Sequence, residues 1–383
     1  MSTWWPDAFL VAIVTAVLAA ERRAALKGLF HWLPVPLWCY ALPMAATSLG
    51  WLPGGHPAYP MLIQRLLPFA LGLLLLGVDL PSVLRMGWRV LAATALGSVS
   101  IVLGAPLVAW ALHRHLPPEA WKGVGTLAAT WTGGSMNLLA LKVMLDTPDA
   151  IFTSLIVVDA LIAYSWMAIL VGLSNVQAPI DRWLRAKPLD LLPTADSTGN
   201  QAAQARDIVF SGFCSLLLTI GVQAVAPRLP TNVLVNSRSG WVVLLVTTLA
   251  LGGSLVGPIR RLGRSAPTLG YPCLYLVLAA MGAQASVAAV RSAPVWVTVG
   301  VGIALVHGLT MLIGGRLLRL PLGVLATASQ ANLGGVASTP LVGAVYDQRL
   351  APIGLLLAIG LNAVGTYLGL CAALVARLFL SGG

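Results

Sequence analysis

The chain has 383 residues, 58% of them hydrophobic and 9% charged, with a mean hydropathy of +0.87. A soluble domain carries about 25% charged residues, so a soluble enzyme, a disordered chain and a secreted disulfide scaffold are excluded and the chain belongs in a lipid bilayer. The net charge of +11 does not mark a nucleic-acid partner. The basic residues fall in short runs between apolar stretches, Arg22-Arg23, Arg260-Arg261 and Arg316 to Arg319, with no basic stripe carrying interleaved aromatics. Such runs belong to loops held on the cytoplasmic side. Cys39, Cys214, Cys273 and Cys371 lie in apolar segments without CxxC or metal spacing and read as small core hydrophobes.

A crossing of about 30 Å takes roughly 20 apolar residues, and about twelve runs of that kind follow one another. Met1 to Ala20 has Trp4, Trp5 and Asp7 ahead of its apolar run rather than a basic start, and reads as a retained span. The first-half spans are Trp4 to Ala20, Pro34 to Leu52, Met61 to Leu80, Trp88 to His113, Val124 to Leu145 and Ala150 to Leu173. The second half gives Ile208 to Ala226, Trp241 to Val256, Leu269 to Val290, Val295 to Gly315, Leu322 to Tyr346 and Pro352 to Leu380. Residues 174–206, with Asp181, Arg182, Arg185, Lys187, Asp190 and Asp196, read as a solvated linker between a first membrane repeat, 1–173, and a second, 207–383.

The two halves match. Thr126 to Asn137 precedes Thr327 to Ser338 by 201 residues, and the same offset carries Gly133-Gly134 onto Gly334-Gly335 and Asp146 onto Asp347. Leu67-Pro68 with Gly77-Val78-Asp79 matches Tyr271-Pro272 with Gly282-Ala283-Gln284 at an offset of 204 to 205. A repeat of this period suggests a transporter built of two related halves. The loops holding Arg85 with Arg89 and Arg260 with Arg261 and Arg264 both fit the cytoplasmic side only if the second repeat is inverted, whereas twelve simple crossings would make the repeats parallel. The expected fold is therefore an all-α polytopic membrane protein of ten to thirteen transmembrane helices with two inverted repeats, in the bacterial cytoplasmic (inner) membrane.

Each matched segment places Gly-Gly among Ser, Thr, Asn and Gln at membrane depth, where backbone freed from a helix is tolerated only inside protein or beside a watery cavity. Two discontinuous helices are inferred, broken near Gly133-Gly134 and Gly334-Gly335, with Thr339-Pro340 resembling an N-cap and Pro at the first helical position, and Ser135 or Asn137 able to cap the other half-helix. Their free N–H groups would face a bound solute. The alternative is that the small residues only pack helices closely. The solute site expected from these segments comprises Thr132, Gly133, Gly134, Ser135, Asn137, Ser329, Gln330, Asn332, Gly334, Gly335 and Thr339.

Among the 12 carboxylates, Asp79 and Asp159 sit among apolar neighbours, which makes each a functional candidate by default. Burial raises a carboxyl pKa toward neutral and suits it to a proton or a cation. Asp159 lies mid-helix after the first break, while Asp79, ahead of Pro81 and Arg85, reads equally as a helix-end residue. Asp146 and Asp347 lie at segment ends and read as structural, Asp146 within i, i+4 reach of Lys142. His307 is mid-span, either relaying protons or bridging helices. Asn362 and Thr366 add polar groups to the last span, and Gln284 stands at the repeat position of Asp79. The coupling set is thus Asp159, Asp79, Asn362, Gln284 and His307. No Lys or Arg sits at the centre of a span, so a carboxylated solute would be held by helix N-termini, hydroxyls and amides.

Thr132-Gly133-Gly134-Ser135-Met136-Asn137, Ser329-Gln330-Ala331-Asn332-Leu333-Gly334-Gly335, Leu76 to Leu80 and Gly365 to Gly369 together resemble the YjcL-like family (domain of unknown function 819), over nearly the whole chain. That family is placed with the bile-acid:sodium symporters and cation:proton antiporters. The resemblance implies two broken helices that cross in a mobile core, 61–173 with 268–383, carried in elevator fashion past a scaffold, 1–60 with 207–267, and a homodimer through that scaffold. It puts Gly133, Gly134, Ser135 and Asn137 on the first crossing and Gln330, Asn332, Gly334 and Gly335 on the second. Asp159 falls where antiporters keep their ion-binding aspartate, with Na+ nearby. Val158 stands where many antiporters have a second polar residue, a departure that favours solute symport over sodium:proton exchange.

The expectation is an ion-coupled (H+ or Na+) secondary transporter of a small polar or carboxylated solute, an organic acid or cell-wall-derived peptide by superfamily analogy, without a cofactor. The alternatives are an intramembrane enzyme using His307 with Asp79 or Asp159 on a lipid-linked substrate, and a passive channel or regulator of murein hydrolase export. HExxH, GxSxG and GxxxxGK[ST] motifs are absent, so the chain is expected not to be an enzyme or an ATP-driven pump.

Overall fold

The computed structural model describes residues 4–187, 205–230, 237–263, 265–285 and 293–380. No strand occurs among the described residues, as expected where lipid forces each segment to satisfy its own backbone. The first half runs through α1 (Trp5–Glu21), α2 (Lys27–Trp32), α3 (Val35–Ser48), α4 (Ala58–Leu76), α5 (Leu80–Leu84) and α6 (Trp88–Ala111). It continues with α7 (Ala120–Trp131), α8 (Ser135–Leu145), α9 (Asp149–Leu173) and α10 (Gln177–Leu184). The second half holds α11 (Ala205–Val225), α12 (Arg238–Ser254), α13 (Gly257–Gly263), α14 (Pro267–Gln284) and α15 (Ala293–Leu318). It ends with α16 (Leu322–Leu333), α17 (Gly335–Tyr346) and α18 (Leu350–Leu380).

Six of the described helices are long and apolar enough to cross a bilayer: α4, α6, α9 with its continuation into α10, α11, α15 and α18. The ten to thirteen crossings expected from the sequence also count shorter helices and the two divided runs. Helices α1, α3, α12 and α14 hold 17, 14, 17 and 18 residues, or roughly 21 to 27 Å at 1.5 Å per residue. The runs over 124–145 and 322–346 are each divided into two shorter helices at the glycine pairs. Arg65 lies well inside α4, but on an exposed face.

The expected linker begins as helix. Residues 174–184 continue from α9 into α10, where Leu184 is wholly buried against Leu320 and Leu322, and Asp181 Oδ1 accepts the N–H of Leu322 at 2.7 Å. The polar stretch is thus used locally: one carboxylate caps a helix start and one leucine fills the core. Residues 188–204 of that linker lie outside the described residues.

The chain divides into two compact units. Unit 1 comprises Met1–Gly77, Lys142–Ala160 and Ala203–Trp296, and unit 2 comprises Val78–Leu141, Leu161–Ala202 and Val297–Gly383. The partition implied by the family resemblance groups α4 and α14 with the broken helices, whereas the compact units group them with the N-terminal helices. In unit 1, α14 packs on α3 and α4, so closely that a Cβ on Gly282 would strike the Tyr40 carbonyl. Thr47 Oγ1 donates to Ala283 O at 2.9 Å. α4 also meets α11 and α12, with Ser215 Oγ donating to Phe69 O at 2.7 Å.

In unit 2 the 31-residue α18 is the element on which both split helices rest. Gly125 and Ala129 on α7 and Gly133 just after its end face Gly365, Gly369 and Ala373 on α18 in antiparallel order: a Cβ on Gly133 would come within 2.6 Å of Gly365 Cα, and one on Gly125 within 3.0 Å of Gly369 O. Small residues four apart on both helices allow backbone-to-backbone contact. Nearer its start, Gly354 fits between Thr327 of α16 and Thr339 of α17, a Cβ there lying 2.9 Å from each methyl. Gly104 and Gly302 similarly admit Val306 and Val108 between α6 and α15.

Gly369→Ala is expected to overpack this seam and lower unfolding stability by about 1–3 kcal/mol. Gly172→Ala on α9, where nothing lies within 4 Å of the new Cβ, should be neutral or stabilising. Thermal unfolding of the purified variants in detergent checks both; equal behaviour would contradict the seam.

Candidate functional site

The first break is built from a glycine and an amide. α7 stops at Trp131, and Thr132, wholly buried, donates Oγ1 to Ala128 O at 2.8 Å. Gly134 takes φ +75°, the left-handed region that only glycine enters cheaply, and α8 starts at Ser135. Asn137, also buried, then staples the break to α18: its Nδ2 donates to Gly133 O and, at 3.1 Å, to Asn362 O, and its Oδ1 accepts from Thr366 Oγ1. Asn137 is therefore a bridge inside the first turn of α8 rather than its cap. The side chains of Ser135 and Asn362 are half-buried and make no hydrogen bond among the described residues. Asn362 Oδ1 lies 3.0 Å from where a Cβ on Gly134 would stand.

The second break falls at the matched position. Gly335 takes φ +67°, 201 residues after Gly134. α17 starts there, with Gly334 at its N-cap and no side-chain cap. The expected Thr339-Pro340 start is corrected: both residues lie inside α17, and Thr339 Oγ1 donates back to Gly335 O at 2.6 Å. A left-handed glycine ends α16 before the proline is reached. Gln330, wholly buried, donates Nε2 to Ser338 Oγ at 2.8 Å, and Ser338 passes its own proton to Gly334 O at 2.9 Å. Gln330 Oε1 has no partner among the described residues. A Cβ on Gly334 would lie 2.7 Å from Gln330 Cδ, so this amide rests directly on the break. Asn332 is satisfied instead, accepting from Ser98 Oγ at 2.8 Å and donating to Ala328 O at 3.0 Å and Thr94 O at 3.3 Å.

His307 on α15 joins four segments. Ser100 Oγ donates to Gly97 O at 2.6 Å, which leaves it to accept from His307 Nδ1 at 2.8 Å. His307 Nε2 then accepts from Ser329 Oγ at 2.8 Å, and Trp166 Nε1 donates to the same hydroxyl at 2.8 Å. The network assigns the Nδ1–H tautomer of a neutral, wholly buried imidazole. Ser329 is thereby committed to His307 and Trp166.

Unit 2 brings together the residues of both breaks with His307, Asp79 and Asn362, while Asp159 and Gln284 belong to unit 1. Asp79 caps α5, its Oδ1 accepting from Ser82 N at 3.3 Å. Asp159 is half-buried on α9. Gln284 donates to Ala280 O at 3.0 Å at the end of α14. Lys142 reaches Asp149 at 2.7 Å. Arg349 binds Asp347, which lies between α17 and α18, at 2.7 Å and holds its carboxyl below the usual range by direct hydrogen bonds.

Motif reading missed Ser98, Ser100 and Trp166, which sit on α6 and α9 as ordinary span residues. It also missed the packing of Gly125 and Ala129 on Gly369 and Ala373, although their four-residue spacing is visible in the sequence.

These features define a polytopic helical membrane protein whose polar groups gather around two helix breaks. The chain belongs to the family described as a protein of unknown function (DUF819), which it matches over residues 8–379. It is similar to the "Uncharacterized membrane protein YjcL" of Bacillus subtilis (strain 168), 25% identical over 349 residues that cover 85% of this chain and 86% of that protein. The similarity and the six apolar helices make it a multi-pass membrane protein.

Gly335→Ala has space for its methyl group, so its cost is the left-handed backbone alone, about 1–2 kcal/mol. Gly335→Asn should cost less, because Asn tolerates that conformation. Gly133→Ala should cost more, because it meets Gly365 and the Leu361 carbonyl. Denaturation of the three variants checks the order.

Proposed function

We propose that this protein is an ion-coupled secondary transporter of a small polar or carboxylated solute, with the solute held at the two helix breaks. The observation that carries this reading is that two short apolar helices, α8 and α17, start at left-handed glycines 201 residues apart within one compact unit. A discontinuous helix at membrane depth costs backbone hydrogen bonds and persists where its open end faces a ligand or a watery cavity. The matched offsets support two related halves, inverted as the basic loops suggest. The resemblance read from the sequence favours an elevator arrangement, with a core of 61–173 and 268–383 carried past a scaffold of 1–60 and 207–267 and a homodimer through that scaffold.

Coupling to H+ or Na+ is assigned to Asp159, a half-buried carboxylate within an apolar helix. Asn137, Asn332, Ser329 and His307 already have their hydrogen bonds, so they shape the breaks. Ser135, Asn362 and Gln330 keep free capacity and are the groups available to a solute.

The test is solute uptake into proteoliposomes under an imposed proton or sodium gradient, screened over small carboxylates, amino acids and peptides. Asp159→Asn should reduce gradient-driven uptake to the leak rate while the melting temperature stays close to that of the parent chain. Gradient-driven uptake that survives in Asp159→Asn contradicts the coupling assignment. Uncoupled flux in both proteins supports a channel, and turnover of a lipid-linked substrate in detergent supports an enzyme.

A further inference from the structure

The second break carries more information than the first, because it pairs two unfilled groups of opposite kind. α17 is 12 residues long, has glycine at its N-cap and no side-chain cap, so its first-turn N–H groups are donors without a helical partner and sit at a positive dipole end. Gly334, Gly335 and Val336 are half-buried and Ala337 is exposed, and nothing lies within 4 Å of a Cβ on Gly335, so there is room in front of that turn. Gln330 is wholly buried with its amide packed against Gly334. The Nε2 end is engaged by Ser338, whose proton is in turn committed to Gly334 O. The group left over is therefore an acceptor, Oε1, and a buried acceptor without a donor is costly to maintain.

Resting on the transporter reading above, we infer that the solute is zwitterionic, an α-amino acid or a small peptide end, rather than a simple carboxylate. Its carboxylate takes the first-turn amides of α17, and its ammonium donates to Gln330 Oε1. A carboxylate and an ammonium on one carbon lie close together, and the Gln330 amide, its Nε2 end nearest, rests against Gly334 at the N-cap of α17. A carboxylate without the amine would satisfy the helix end and leave Oε1 unpaired. A cationic amine without the carboxylate would be repelled by the dipole. No charged side chain is required, in keeping with the absence of Lys and Arg from α16 and α17.

The test is thermal stabilisation of the full-length protein in detergent by matched pairs: L-alanine with propionate, L-glutamate with glutarate, and L-leucine with isocaproate, each in sodium and potassium buffers. At least one amino acid should stabilise the parent chain at a concentration tenfold or more below its partner lacking the amine. Gln330→Met, similar in shape but without the acceptor, should bring the pair within about twofold. Gln330→Glu, which keeps an acceptor in place, should retain the preference and controls for misfolding of the Met variant. Equal stabilisation by both members of every pair overturns the zwitterion inference and leaves the transporter reading standing, as does an amino-acid preference unchanged in Gln330→Met. Gradient-driven uptake of a carboxylate without stabilisation by any amino acid does the same. No stabilisation by any solute together with no gradient-driven uptake overturns both.

Discussion

Close contact between α18 and the helix that precedes the first break is the constraint on which unit 2 depends. A helix interrupted in an apolar environment exposes N–H and C=O groups that water is not there to satisfy. Gly125, Ala129 and Gly133 against Gly365, Gly369 and Ala373 bring the two backbones together. That approach puts Asn137 within reach of Gly133 O, Asn362 O and Thr366 at once. A larger side chain anywhere along the seam would separate the helices and cut the Asn137 bridge, leaving buried polar groups unpaired at about 1–3 kcal/mol each. Gly354, eleven residues or roughly 16 Å before Gly365, repeats the device for the second break.

The buried polar groups then sort themselves by whether they are satisfied. Asn332, Ser329 and His307 are saturated by Ser98, Ser100, Trp166 and backbone carbonyls, and such complete networks fix one arrangement of α6, α15 and α16 rather than offering a site. In unit 2, Gln330 Oε1 is the buried side-chain atom without a partner among the described residues, and the half-buried Ser135 and Asn362 add free capacity; each lies at a break. This separation of framework from unfilled capacity is what a binding site in a helical membrane protein requires: rigid support behind, open donors and acceptors in front.

Much of this was legible in the sequence, for physical reasons. Gly133-Gly134 and Gly334-Gly335 stood out because glycine pairs amid Ser, Asn and Gln have no purpose on a lipid-facing helix, and both pairs do end helices. The position of the second helix start was misjudged, because Thr339-Pro340 has the chemistry of an N-cap while the left-handed Gly335 acts four residues earlier. Hydropathy alone does not mark the breaks, because a run divided by one left-handed residue is as apolar as an unbroken one. The role of Asp181 could not be read from its polar neighbourhood, since its partner, the N–H of Leu322, is 141 residues away. The His307 contacts were hidden for the same reason: Ser100 and Ser329 are 207 and 22 residues distant.

The proposed site depends on helix starts that remain open at membrane depth. Amide hydrogen exchange of the full chain in lipid nanodiscs tests this directly, because protection reports the local free energy of opening. The first-turn amides of α8, at Ser135 and Met136, and of α17, at Gly335 to Ala337, should exchange orders of magnitude faster than the amides in the middle of α7 and α16. Uniform protection from Ala120 through Leu145 and from Leu322 through Tyr346 would mean two continuous helices, and would contradict the site.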